Sequence, residues 1–299
     1  MRAYVIGNIT IDETLAVNEM PQAGASIFGS QRSRDLGGKG ANQAIVLGRC
    51  GLPTSLVAAI GEGPRADMIR QHLATEPLVG QLVSVAGMSS DFSIVFTTPD
   101  GENAIVTTTD SAANLGAADA IAPLADAEPG DIVVLQGNLS DETTQEVLQA
   151  ARGRGLTTAF NPSPVRQSFA LLWPLVDIAF LNQSEARALT GAGRQHAARS
   201  LLAAGARDVV LTLGSDGAML ANGDEIITVP AEPCPVVDTT GAGDSFMAVA
   251  LASAALRGVR LDRQAIAHAT RAAAITVGRR GTRSAFPTAQ ELASILASS

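Results

Sequence analysis

Residues 131–137 read DIVVLQG, a nearly continuous apolar run. A strand with one wet face alternates apolar and polar residues, whereas a continuous run marks a strand covered on both faces. Related β-rich runs recur at AYVIG (3–7), TSLVAAIG (54–61), LTTAFNP (156–162), VDIAFLN (176–182) and DVVLTLG (208–214). Helical stretches or glycine turns separate them. GANQAIVLGRCG (40–51) is a helix closed by glycine, and RADMIRQHLATE (65–76) is amphipathic. In SDETTQEVLQAARGRG (140–155), Ser140 stands three residues before Thr143, and Asp141 and Glu142 occupy the first turn, the pattern of a capped helix start. This strand–helix rhythm predicts a parallel sheet covered by helices.

Two stretches break the rhythm. Residues 11–36 alternate in short polar and apolar pieces around Pro21 and several glycines, and residues 92–108 read as a hairpin, FSIVFT and NAIVTT joined by TPDGE. Two β excursions from an α/β core predict a small lid sheet over one end of it.

The chain of 299 residues is 46% hydrophobic but only 3% aromatic, so its core must be built from Ala, Val, Leu and Ile. The formal net charge is −8, and no basic cluster exceeds Arg279-Arg280, which argues against nucleic-acid and anionic-membrane partners. Glycine-loop amides and helix N-termini can still bind a phosphate locally. Cys50 and Cys234 lie far apart and suggest neither a disulfide scaffold nor a zinc cluster. The opening residues hold too short an apolar run for a signal peptide, and no run of about 20 apolar residues predicts a membrane span. The expectation is a soluble, cytoplasmic protein.

One lysine, Lys39, occurs in a chain with 21 Lys plus Arg, and it sits inside DLGGKGANQA (35–44). Lysine is a compact point charge on a slim stem, where arginine is a wide fork. A site where backbone closes on a small polar ligand accepts the first and excludes the second. Compositional bias on a flexible turn explains the count equally well. The strongest local signal is VVDTTGAGDSFMAVALASAAL (236–256), a strand-like run meeting GAG and then a long apolar helix starting near Asp244. Glycines there let N–H groups point outward at a helix N-terminus, an arrangement suited to a phosphate or a developing oxyanion. Asp244 is either a helix cap or a general base beside that anion hole.

DTTGAGDSF (238–246) resembles the C-terminal signature of the ribokinase-like, or phosphofructokinase B, family of carbohydrate kinases, and GGKGANQA (37–44) resembles its N-terminal signature. GNITID (7–12) is similar to the substrate-binding strand end of that family, NQSEARALTG (182–191) to its Asn-x-x-Glu motif, and LTLGSDGA (211–218) to its nucleotide-binding strand and turn. The five stand in family order from residue 3 to about 296. The resemblance implies an α/β fold, a ribokinase-like three-layer α/β/α sandwich over residues 1–299, with 11–36 and 92–108 as inserted β lid segments.

The resemblance also implies roles. Asp244 would take the proton from a sugar hydroxyl, with Gly241, Ala242 and Gly243 as the anion hole. Asp12, Gly38, Lys39 and Asn42 would bind the sugar. Asn182 and Glu185 would organise Mg²⁺ and the phosphates, Glu185 largely through water. Thr212, Gly214 and Gly217 would shape the ATP site. K⁺ would sit beside the anion hole, with Asp238 and Thr240 on one loop and Thr276, Arg279, Gly281 and Ser284 on a second, the register near Ser284 being open by one residue. His268, on the helix flanking the adenine, is given no catalytic role. Family dimers pair their lid edges, so a homodimer through the lid is expected.

Two sugar-side positions depart from the family's ribose kinases. Asn138 stands where a glutamate is usual, and Thr10 where an asparagine is usual. The expected activity is ATP-dependent phosphorylation of a primary hydroxyl of a small sugar or polyol, with ribose in doubt. The alternatives are a nucleoside kinase using the lid aromatics Phe28, Phe92 and Phe96, a sugar-phosphate kinase using Arg32 and Arg34, and a non-catalytic sugar-binding protein on the same fold.

Overall fold

The structure, a computed structural model, describes residues 1–99, 103–223 and 225–298. In chain order the strands among them are β1 (Ala3–Ile6), β2 (Thr10–Val17), β3 (Gly29–Gly37), β4 (Thr54–Glu62), β5 (Val79–Ser89), β6 (Phe92–Thr97), β7 (Asn103–Thr107), β8 (Ile132–Gln136), β9 (Thr157–Asn161), β10 (Ile178–Asn182), β11 (Asp208–Thr212), β12 (Ala218–Asn222) and β13 (Glu225–Val229). Nine of them form one sheet, ordered β13-β12-β11-β10-β9-β8-β1-β4-β5. Every pairing from β11 across to β5 is parallel, and β12 and β13 add an antiparallel edge.

Alternate residues of the central strands enter two separate cores. From β1, Ala3 and Val5 pack on one face and Tyr4 and Ile6 on the other; from β8, Ile132 and Val134 divide from Val133 and Leu135 in the same way. The first core is closed by helices Lys39–Arg49, Pro64–Leu73, Ala242–Arg257, Arg263–Val277 and Ala289–Leu296. The second is closed mainly by Asp141–Gly153, Gln183–Thr190 and Arg194–Ala203. The result is the expected three-layer α/β/α arrangement, with large aromatics confined to a few sites such as the edge-on pair Phe160 and Phe169. Among the described residues no helix is long and apolar enough to cross a membrane.

Four strands make a second sheet, ordered β3-β2-β6-β7. The expected turn between β6 and β7, TPDGE at 98–102, lies outside the described residues at 100–102. The helix at Asp141–Gly153 starts as its sequence predicts, with Ser140 accepting from the Thr143 N–H at 3.0 Å. Two segments differ from expectation. The strand β5 has no counterpart in the sequence reading, because an edge strand with most positions partly exposed carries little apolar signal. The strand-like run at 236–237 is not a strand: Val236 and Val237 stand 73% and 47% exposed, and both residues 237 and 238 donate their N–H to the Val277 carbonyl instead of to a sheet.

The end of β1 and the start of helix Lys39–Arg49 touch backbone to backbone. Asn8 accepts the Gly40 N–H on its side chain (3.2 Å) and the Ala41 N–H on its carbonyl (3.0 Å). A Cβ on Gly40 would lie 2.7 Å from the Asn8 carbonyl oxygen and 2.9 Å from the Gly7 carbonyl carbon, so strand and helix would have to part. Gly40→Ala is expected to lower unfolding stability by about 1–3 kcal/mol. In urea this reads as a lower midpoint at unchanged slope.

Candidate active site

The C-terminal ends of β1, β8, β10 and β11 and the N-termini of helices Lys39–Arg49, Gln183–Thr190 and Ala242–Arg257 open on one cavity of about 570 Å³. This is where an open parallel sheet offers both strand-end side chains and helix-end N–H groups. Residues from β2, β6 and β7, including Asp12, Ser93 and Thr107, close its other side.

Asp244 is the third residue of helix Ala242–Arg257 and is 5% exposed. It does not cap that helix. Its Oδ2 accepts from Asn42 Nδ2 and its Oδ1 from Gln43 Nε2, both at 2.9 Å. Gln43 Oε1 in turn accepts from Gln136 Nε2 at 2.7 Å, and both glutamines are fully buried. Gly241 holds the helix N-cap at φ +75°, a left-handed conformation suited to glycine, and a Cβ there would meet the Phe286 ring at 2.7 Å. The first helical bond runs from Ser245 N–H to the Gly241 carbonyl, which leaves the N–H groups of Gly243 and Asp244 outside the ladder. Ala242 fits the expected anion hole less well, since its N–H turns back to the Thr239 carbonyl at 3.3 Å.

Asp12, Gly38, Lys39, Asn42 and Asn138 all line the cavity beside Asp244. Gly38, at φ +91°, is the cap from which Lys39 starts its helix, and none of the ion pairs among the described residues uses Lys39. Asn42 Oδ1 and Asn138 Oδ1 are buried acceptors without a partner. Burial pushes the Asp12 carboxyl above its ordinary range, hydroxyl donors from Thr10, Ser93 and Thr282 pull it back, and the Asp244 charge adds to the rise. Thr10 is not among the cavity-lining residues; it is fully buried behind Asp12 and donates to Asp12 Oδ1 at 2.7 Å.

A second cavity of about 510 Å³ shares Thr212, Thr239, Gly243 and Phe246 with the first, and Gly214, Gly217, Cys234 and Val236 extend it. Gly217 sits at φ +91°, where a Cβ would fall 2.0 Å from the Val229 carbonyl oxygen. Asn182 and Glu185 line the first cavity and form a reciprocal capping box: Asn182 Oδ1 accepts the Glu185 N–H at 2.8 Å, and Glu185 Oε2 accepts the Asn182 N–H at 2.9 Å. His268 lies outside both cavities, held between Ser253 and the Ser298 carbonyl.

The residues expected around K⁺ divide. Asp238 Oδ1 accepts the Thr240 N–H and its Oδ2 the Gly281 N–H, which ties the two loops together. Thr240 Oγ1 is buried without a partner. Thr276 spends its hydroxyl on the Ala272 carbonyl inside its own helix, Arg279 pairs with Glu291, and the Ser284 N–H turns to Asp35. The residues named for the alternative substrates are placed as follows. Phe28, Phe92 and Phe96 are not among the cavity-lining residues; Phe92 lies beneath the Arg65 guanidinium and Phe28 is 99% exposed. Arg34 pairs with Glu13.

Sequence reading missed Gln43, Gln136, Ser93 and Thr282. The one local signal was Gln136 itself, an amide at the end of an apolar strand buried on both faces, where it must find a polar partner.

The family model for pfkB family carbohydrate kinases matches residues 2–289. The chain belongs to that family. It is an ATP-dependent sugar kinase. Mouse ribokinase is 29% identical over 305 residues, covering 96% of this chain and 92% of the relative. A deoxyribokinase of Salmonella typhi is 26% identical, covering 97% of each. The structure of Arabidopsis thaliana ribokinase complexed with ribose and ATP superposes with a TM-score of 0.86 at 25% identity, covering 100% of this chain and 99% of that one.

In this kinase the buried amides make a testable contribution. Gln136→Leu leaves Gln43 Oε1 without its donor and Gln43 free to turn from Asp244. A stability loss of about 1–3 kcal/mol is expected. The kcat should fall about ten- to a hundredfold, with the KM for ATP little changed. An unchanged kcat would show that the relay does not position Asp244.

Proposed function

We propose that this kinase phosphorylates a primary hydroxyl of a small sugar or polyol with ATP, and that Asp244 is the general base. The observation that carries the reading is the Asp244 carboxylate, pinned by two amides in a cavity lined by the glycines of its own helix start. The carboxylate takes the proton of the sugar hydroxyl. The freed oxygen bonds to the γ-phosphorus, the bond from that phosphorus to the bridging oxygen breaks, and ADP leaves. The N–H groups at Gly243 and Asp244, with Gly241 at the turn, receive the charge on the transferred group. Lys39 donates to the sugar, and Asp12, Asn42 and Asn138 accept from it. The nucleotide runs along the second cavity, past Thr212, Gly214 and Gly217. The Arabidopsis complex with ribose and ATP supports the pair of ligands. The small sheet serves as a lid that excludes water, without which ATP would be hydrolysed.

Asn182 and Glu185 fit Mg²⁺ through water. They lie on the cavity wall already oriented by their capping box, and among the described residues no cluster of three acidic or metal-binding side chains competes with them. Bound there, Mg²⁺ supplies charge neutralisation to the phosphates. Thr240, with its orphan hydroxyl, and the Asp238–Gly281 link fit a K⁺ site at one end; Thr276 and Arg279 use their side chains elsewhere and are left with their carbonyls as ligands. A homodimer through the small sheet would cover Phe28 and Val106, which stand 99% and 62% exposed. An ATP-consuming reaction and two free cysteines, Cys50 and Cys234, suit the cytoplasm.

The test is ADP release with MgATP and K⁺ across pentoses, tetroses, hexoses, polyols and nucleosides, on the wild type and on Asp244→Asn. One sugar class should dominate, and the variant should lose about two to four orders of magnitude in kcat while still binding ligand. Phosphorylation that survives the change would overturn the assignment of the base.

A further inference from the structure

Asn138 sits in the short turn, residues 137–140, that joins β8 to helix Asp141–Gly153. It lines the larger cavity, is 8% exposed, and its Oδ1 is a buried acceptor without a donor. An acceptor left unpaired at that depth is unfavourable, so a turn free to rotate would carry it out to solvent. The turn is not free, because Arg166 grips it on both sides of Asn138. One guanidinium nitrogen, Nη2, donates to the Gly137 carbonyl at 3.0 Å and to the Leu139 carbonyl at 2.5 Å. The guanidinium is itself fixed: Nη1 lies 2.8 Å from Asp141 Oδ1, and Cζ lies 4.5 Å over the centre of the Phe169 ring. A planar fork held by an acid and a ring loses little further freedom in binding two carbonyls. The flanking residues complete the clamp. The Gly137 N–H donates to the Ser163 carbonyl at 3.0 Å, a Cβ on Gly137 would meet the Pro164 carbonyl oxygen at 2.4 Å, and Leu139 is buried in the second core. Arg166 lines neither the larger cavity nor the second one, so it reaches a ligand only through the turn it holds.

We infer that Arg166 is a positioning residue of the sugar site: by holding the carbonyls on either side of Asn138, it keeps the Asn138 amide in place to accept a substrate hydroxyl. The inference rests on the kinase reading above and deepens it at this one contact. Asn138 is an uncharged amide, and a hydrogen bond to it is weaker than one to a carboxylate. Its contribution to affinity therefore depends on the amide being ordered before the sugar arrives. A hydroxyl donated to Oδ1 is held alike in the ground state and the transition state, so the loss of that order appears in the KM for the sugar and not in kcat. The proposed nucleotide end, at Gly214 and Gly217, is lined by residues remote from this turn, so the KM for ATP does not follow it.

The test is steady-state kinetics by ADP release on the wild type, Arg166→Met, Asn138→Ala and the double variant, with the sugar that the panel above shows to be preferred. Arg166→Met keeps most of the stem and removes both carbonyl bonds. It should raise the KM for the sugar about tenfold, with kcat and the KM for ATP held within about twofold. The double variant should bind the sugar no worse than Asn138→Ala alone, because the arginine acts through that amide. An arginine that only secures the helix start would lower the urea midpoint and leave the sugar KM unmoved. One that acts elsewhere in the site would add its effect to that of Asn138→Ala. Either result overturns the inference. Should Arg166→Met fail to fold, Arg166→Lys keeps the cation on a stem one atom shorter, and it must raise the sugar KM in the same sense. An Asn138→Ala variant with an unchanged sugar KM also overturns the inference and leaves the kinase reading standing. No turnover of any sugar by the wild type, with ATP still bound, overturns both.

Discussion

The site is organised around one carboxylate and the amides that hold it. Asp244 is contributed by a helix near the end of the chain, Asn42 and Gln43 by the first helix, and Gln136 by the end of the strand between them, β8. Each bond joins residues 93 to 202 positions apart. A buried carboxylate with a missing donor is costly, so these bonds also fix how the two helices approach the sheet. Stability and chemistry therefore draw on the same contacts. The amides hold both carboxylate oxygens, and Asp244 itself lines the cavity.

That arrangement also explains how a chain of net charge −8 can manage a polyphosphate. The favourable charge is local. On the proposed reading it comes from a helix start opened by a left-handed glycine and from the first-turn N–H groups that follow, while Lys39 at the start of the opposing helix is kept for the sugar. Helix ends act over about one turn, and solvent screens the acidic exterior beyond roughly 10 Å. The overall charge still disfavours extended polyanions, which would meet the whole surface.

Much of this was legible in the sequence, for reasons that can be named. The parallel strands are buried on both faces, so their apolar runs are continuous, and the helix at Asp141–Gly153 announces itself through its cap. The glycine–aspartate turn at 241–244 reads as anion-binding chemistry from residue types alone. What was not legible depends on partners distant in sequence. Strand β5 lies at an edge with a blurred pattern. Gln43 stood inside a stretch already marked for its lysine, yet its role needs Gln136 opposite. The side chains of Thr276 and Arg279, candidate ligands in sequence alongside their carbonyls, are spent on a helix carbonyl and on Glu291. Thr10, expected to meet the sugar, is buried outside the cavity lining and donates to Asp12.

The loop at 281–284 shows what such distant partners accomplish. Its Gly281 N–H binds Asp238 beside the glycine turn, its Thr282 hydroxyl binds Asp12 on the cavity wall, and its Arg283 guanidinium binds both Asp35 of β3 and Glu76. Glu76 is bound in turn by Arg49 at the end of the first helix. One short loop thus ties the glycine turn, the Asp12 carboxylate and the small sheet together. The Arg283 links are partly buried, where screening is weaker than at an exposed ion pair. A change in this loop is therefore felt at both ends of the cavity, at Asp238 beside the glycine turn and at Asp12.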